Sequence, residues 1–365
     1  ATTATCTARN GRIFWRRWRL TPDRSLWRKR ALTLAIAALG AAAFLALHLP
    51  LPLLLGPMAA CLVAALLGTG LADMGQAGTY LRAFLGLAVG ASITPDLVYR
   101  LPAMAGSLVF VPLFILVIAG LGYPLFRKVF GFDHATAWYA AMPGGLQDML
   151  VFGQEAGGDV RALSLIHATR VLAIVTVAPL LMTWLWQVDL SRAPGRPAAE
   201  SDPVQIVILL AAGLAGWKLA ERVRLFGASI LGPMILAAAL SLAGIITARP
   251  PSEMIWAAQL FIGLSVGVKY TGITAREIRV DVGAGLVYAI LLSLISLGFI
   301  ELLTLTGIAP GEEAFLAFLP GGQAEMVVIA LMAGADLAFV VSHHLLRVIL
   351  VILCAPIAAR LFTRR

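Results

Sequence analysis

Charge is what this chain has least of. Lysine and arginine number 28 and aspartate and glutamate 19 among 365 residues, together 13%, against 60% apolar residues and a mean hydropathy of +0.90. That balance excludes a soluble globule, which carries about a quarter charged residues, and with it a soluble DNA-binding domain. Cysteine is almost as scarce. Cys6, Cys61 and Cys354 are scattered, two of them inside apolar runs, which excludes a disulfide framework and a thiolate metal site. Only five histidines are present, too few and too dispersed for the clustered copper or iron ligands of an oxidative enzyme. No nucleophile–base pairing stands at recognisable spacing, so neither an enzymatic reaction nor a cofactor is expected.

What is abundant is apolar length. Runs of about 17 to 25 apolar residues, each sufficient to span roughly 30 Å of hydrocarbon, recur with short polar punctuation, and predict one polytopic all-α membrane domain. The net charge of +9 is concentrated at one end. Residues 1–30 hold nine basic residues against Asp23, with Trp15, Trp18 and Trp27 interleaved. This composition suits a segment lying on anionic lipids at the cytoplasmic leaflet better than a nucleic-acid-binding arm. Arg16-Arg17 is weakly like an export signal, but the run 31–47 lacks a convincing small-x-small cleavage site and reads as a retained first helix.

The chain repeats itself. Leu55-Gly56-Pro57-Met58 returns as Leu231-Gly232-Pro233-Met234, 176 residues on, and Gly86-x3-Gly90 returns as Gly263-x3-Gly267 at 177. The offset of 177 then holds for Pro143-Gly144-Gly145 and Pro320-Gly321-Gly322, for Asp159 and Asp336, His167 and His344, Arg170 and Arg347, and Pro179 and Pro356. Register kept over so many unlike residues marks a duplication: a tail 1–30, repeat 1 over 31–187, a linker 188–203, and repeat 2 over 204–365. Cytoplasmic loops are rich in Lys and Arg. With spans at about 31–48, 51–68, 83–94 and 104–126 starting inside, Arg82 and Arg127-Lys128 fall inside and Arg100 outside. Lys218, Arg222, Arg224, Arg276 and Arg279 fall inside only if repeat 2 is inverted, which also brings Arg364-Arg365 inside and leaves Glu253, Glu312 and Glu313 outside.

Inversion needs an odd number of crossings per repeat, whereas six apolar stretches are counted. A re-entrant or broken helix at each Pro-Gly-Gly resolves the conflict: five transmembrane helices plus one incomplete segment per repeat. Unpaired backbone at membrane depth is tolerated only inside protein or along a watery cavity, so the breaks mark a site. After each break, Leu146–Gly153 and Gln323–Leu331 read as half-helices with positive ends pointing inward. The candidate substrate-binding residues are Gly144, Gly145, Gln147, Gly321, Gly322, Gln323, His167, Arg170, His344 and Arg347. Asp148 and Glu325, in the first turns of the half-helices, either compensate the helix dipole or titrate on a proton or cation path. Each arginine either holds the free carbonyls of a half-helix or binds an anionic solute, with the histidine three residues earlier on the same face. Asp159 and Asp336 read as N-caps, the Gly-x3-Gly pairs as close helix contacts, and the Pro of Leu-Gly-Pro-Met as a kink. Adjacent His343 and His344 point about 100° apart on a helix and make a poor chelate, so no metal is expected.

Leu-Gly-Pro-Met at 55–58 and 231–234, with Pro-Gly-Gly followed by an acid and Met at 143–149 and 320–326, resembles the bacterial AbrB-duplication membrane proteins, a family often labelled an ammonia monooxygenase. The resemblance covers about residues 31–362. One family label implies regulation of gene expression, the other ammonia oxidation, and neither supplies a mechanism. The inverted architecture with broken helices is similar to that of sodium/proton antiporters and bile-acid symporters, an analogy of fold alone. The expectation is a multi-pass protein of the bacterial inner membrane with both ends cytoplasmic. It would be a secondary transporter of a small anionic organic solute coupled to protons or Na+, with homodimerisation left open. The alternative is a membrane-embedded sensor that affects gene expression without transport.

Overall fold

The computed structural model describes residues 24–190, 196–223, 225 and 228–363, apart from the side chains at 24, 79, 82, 96–101, 103, 147, 324 and 360–363. Most of the basic tail, Arg224 and Arg364-Arg365 lie outside the described residues, as do the side chains of Arg82, Arg100 and Gln147. The described chain is helices and turns, without a strand. Among the described residues, six helical stretches are long and apolar enough to cross a membrane: Ser25–Ala46, Met104–Val129, Val160–Trp186, Pro203–Arg222, Ala275–Leu305 and Leu337–Ala359. The protein is therefore read as a multi-pass membrane protein.

The first half runs α1 (Arg24–Ala46), α2 (Pro52–Leu66), α3 (Gln76–Gly90), α4 (Pro95–Leu108), α5 (Phe110–Pro124), α6 (His134–Ala141), α7 (Leu146–Glu155) and α8 (Val160–Trp186). After a short 3-10 turn in the linker come α9 (Pro203–Arg222), α10 (Ala228–Leu242), α11 (Ser252–Val268), α12 (Ala275–Glu277), α13 (Gly283–Leu305), α14 (Gly311–Phe318), α15 (Gln323–Ala333) and α16 (Leu337–Thr363). Wide π-type turns prolong α5 over Leu125–Val129 and join α12 to α13 over Ile278–Val282. The start residues of α14, α15 and α16 follow those of α6, α7 and α8 at the 177-residue offset of the sequence phrases.

The first helix is already formed at Arg24, ahead of the expected start near residue 31. Its early turns are tied down by polar contacts that hydropathy does not register. Arg30 Nε donates to Asp73 O at 3.0 Å, and Thr33 Oγ1 accepts from Ala72 N at 3.1 Å. Elsewhere helix starts follow local chemistry. Asp159 Oδ1 accepts from Arg161 N and Ala162 N, and Asp336 Oδ1 from Ala338 N and Phe339 N, so both aspartates are the expected N-caps.

Glycine contacts define the packing. Gly40 and Gly56 press α1 onto α2, and Gly216 and Gly232 press α9 onto α10. A Cβ on any of the four would overlap the partner's backbone. The Gly-x3-Gly pairs do the same between the halves: Gly86 lies on Ile230 and Gly90 on Met234, while Gly263 lies on Leu54 and Gly267 on Met58. So α3 seats on α10 as α11 seats on α2. The glycine of Leu-Gly-Pro-Met is thus itself a helix contact, and α2 and α10 run on through Pro57 and Pro233.

Candidate functional site: two broken helices around one cavity

α6 has eight residues and a rise of about 12 Å. Its helix stops because Pro143 cannot follow Met142 in α conformation, and Met142 is extended at φ −78°, ψ 130°. After Gly144-Gly145 the chain restarts as α7, and it returns the way it came. Asp159 N, just past the end of α7, donates to Thr136 Oγ1 in the first turn of α6 at 2.8 Å. The Pro-Gly-Gly tip is therefore a turning point inside the protein. Arg170, the eleventh residue of the 27-residue α8, reaches it, which places the tip about 15 Å along that helix.

The break leaves carbonyls without intrahelical donors, and side chains from neighbouring helices meet several of them. His167 Nε2 donates to Tyr139 O at 3.1 Å, and the Tyr288 hydroxyl to Ala141 O. Arg170 spans the tip, with Nη1 to Met142 O at 3.4 Å and Nη2 to Gly144 O at 3.3 Å. The second half repeats the pattern. His344 Nε2 donates to Leu316 O at 2.9 Å, Ser296 Oγ to Phe318 O at 3.0 Å, and Arg347 Nη2 to Gly321 O at 3.3 Å. Because a carbonyl can only accept, Nε2 carries the proton in both histidines. The methionine of each phrase is explained as well: buried Met149 packs under Gly144 and buried Met326 under Gly321, where a Cβ would collide.

Both tips open on one cavity of about 220 Å³. Gly144, Gly145, Asp148 and Arg170 line it from the first half, and Gly321, Gly322, Gln323, Glu325 and Arg347 from the second. Asp148 and Glu325 are each the third residue of their half-helix. His167 and His344 do not line the cavity: they are wholly buried behind the arginines on the carbonyls named above. The sequence grouped them with the binding residues because a shared helix face does not distinguish a side chain directed at a ligand from one directed at backbone. His343 is also buried, with Nδ1 on Phe339 O and Nε2 at Ser107 Oγ, away from the cavity.

Arg170 and Arg347 are 1% and 3% exposed. Among the described residues Arg170 Nε, Arg347 Nε and Arg347 Nη1 are buried without a hydrogen-bond partner. Buried N–H groups of a cation are costly to leave unmet. Sequence reading did not find Asp73, Ser229, Ser265 and Lys269, which also line the cavity. Asp73 lies in the connection between α2 and α3, Ser229 in the first turn of α10, Ser265 in the last turn of α11 and Lys269 just past it, and no phrase marks them. Tyr288 and Ser296 escaped for a related reason, lying within the apolar run of α13.

Two relatives bear on identity. The protein named "Putative regulator AbrB" of Escherichia coli (strain K12) is 30% identical over 335 residues, 87% of this chain and 91% of its own length. "Uncharacterized protein YhjN" of Bacillus subtilis (strain 168) is 31% identical over 245 residues, 61% of this chain and 62% of its own. Across residues 53–363, from the second helix to the last and both Pro-Gly-Gly tips, the sequence matches the family described as "Transition state regulatory protein AbrB"; the chain belongs to the AbrB family.

Proposed function

We propose that this chain is an inner-membrane secondary transporter of a small anionic organic solute, coupled to protons through Asp148 and Glu325, with both ends cytoplasmic and no enzymatic reaction. One observation carries the reading: two half-helix N-termini and two buried arginines with unmet N–H groups converge on a single cavity. Helix N-termini and guanidinium groups both favour anions, and broken helices facing each other near the midplane are the design of inverted-repeat transporters. The reciprocal seating of α3 on α10 and of α11 on α2 supports two inverted repeats of five crossings plus one re-entrant hairpin. The ion pair of Arg161 with Glu277 at 2.7 Å brings the starts of α8 and α12 to one side of the protein, as the Lys/Arg distribution requires.

The test is ligand-induced stabilisation of the purified protein across carboxylates, amino acids, cations and amines, followed by flux into proteoliposomes. Stabilisation by anions that Arg347→Ala abolishes, with flux lost in Asp148→Asn/Glu325→Gln, supports the reading. Stabilisation by cations alone, lost in the carboxylate variants, turns it into a cation or proton antiporter.

The second reading, a membrane-embedded regulator, is favoured by the family description and the printed name of the Escherichia coli relative. Deleting residues 1–28 separates the two. A regulator signalling through its basic tail loses its output, whereas a transporter keeps its flux.

A further inference from the structure

Each half of the chain brings the same anion-binding parts to the same cavity. Arg170 and Arg347 both line it, and both keep buried N–H groups unpartnered among the described residues. α7 and α15, of ten and eleven residues, begin at its wall, with first-turn N–H groups that have no partner within their own helix. A single monovalent anion would use one such set and leave the other unmet. The cavity of about 220 Å³ is smaller than the roughly 300–1,000 Å³ of drug-sized sites, which restricts the ligand to a short chain.

The second half also contains its own stand-in for an anion. A Cβ on Gly322 would collide with the carboxylate of Glu325, so that carboxylate lies folded over the start of α15. It is within electrostatic reach of Arg170 from the other half. The remaining charged groups on the cavity wall are Asp148, Arg347, and the pair of opposite sign Asp73 and Lys269. Tyr288 also faces Arg170, and His167, three residues before it, is turned to Tyr139 O.

On the transport reading above, we propose that the solute is a short dicarboxylate, one carboxylate at each Pro-Gly-Gly tip against Arg170 and Arg347, bound together with protons on Asp148 and Glu325. In the empty site the two arginines are balanced by those two carboxylates. A dianion added to them leaves two negative charges uncompensated beside two buried arginines, in a cavity walled mostly by buried and half-buried residues, and two protons from the aqueous phase restore neutrality. The acids then act as tethered competitors that a proton removes from the subsites.

The test uses the unmodified full-length protein and a ligand series: malonate, succinate, glutarate and adipate against acetate, butyrate and the half-amide succinamate, at constant sodium and ionic strength. One diacid should stabilise at a concentration lower by about tenfold or more than the half-amide, the worth of one charge-assisted contact. Arg347→Gln should reduce the diacid to the half-amide's level. If diacid and half-amide bind alike, the dianion proposal falls and the anion-transport reading stands. If no anion stabilises, both fall. In weakly buffered solution near pH 7, diacid binding should take up protons, and the uptake should vanish in Asp148→Asn/Glu325→Gln. Binding without uptake overturns the proton part.

Discussion

Arg170 and Arg347 occupy matching positions with unmatched surroundings. Arg170 donates to two tip carbonyls and keeps one nitrogen without a partner, whereas Arg347 donates to one and keeps two nitrogens without partners. Removing a buried cation that satisfies little costs little and can stabilise, whereas removing one that caps carbonyls strands them. Arg170→Met should therefore lose roughly 2–4 kcal/mol of stability, and Arg347→Met should stay within about 1 kcal/mol of the parent or exceed it, although both weaken ligand-induced stabilisation. Thermal unfolding of the two purified variants decides, and the reverse order contradicts the assignment of the orphaned N–H groups. Tyr288→Phe leaves Ala141 O without its donor and should cost about 1–2 kcal/mol by the same measurement. At this scale the duplicated phrases were legible because charge inside an apolar helix stands out. The direction of each side chain was not: histidine and arginine share a face of α8 and part only where one meets Tyr139 O and the other reaches the cavity.

Helices here approach each other where side chains are absent. A Cβ on Gly40, Gly86, Gly216 or Gly263 meets backbone of the facing helix, whereas one on Gly120 or Gly298 meets nothing within 4 Å. Gly86→Ala and Gly263→Ala should each cost about 1–3 kcal/mol through overpacking, by similar amounts because their seats on Ile230 and Leu54 correspond. Gly120→Ala and Gly298→Ala should be neutral or gain about 0.5–1 kcal/mol from helix propensity. Denaturation of the four alanine variants checks this, and equal costs for all four would remove the packing argument. The Gly-x3-Gly spacing announced tight contacts, but not that they join α3 to α10 and α11 to α2 rather than neighbours within one repeat. Nothing local in a helix names its partner.

On the scale of the whole molecule, the cavity is lined unequally by the two halves. Asp73, Ser229 and Lys269 line it, and Asp73 is exposed, whereas Leu53, the counterpart of Ser229 at the 176-residue offset, does not. In a background lacking Cys6, Cys61 and Cys354, Ser229→Cys should react with a membrane-impermeant thiol reagent from the side bearing Arg161 and Glu277, and Leu53→Cys should not. Labelling of both from opposite sides in one preparation would mean that two states interconvert, and labelling of neither would close the cavity. The sequence by itself determined a multi-pass helical protein, phrases that recur at fixed offsets, and a break in each half at Pro-Gly-Gly. Apolar length, helix-breaking residues and repeated phrases are properties of consecutive residues. Only the tertiary structure decided that the two breaks share one cavity, that histidine serves the backbone alone while arginine serves both backbone and cavity, and that Glu325 folds over the start of its own helix. Those facts depend on which groups remain unsatisfied once helices distant in sequence have packed, and that balance exists only in three dimensions.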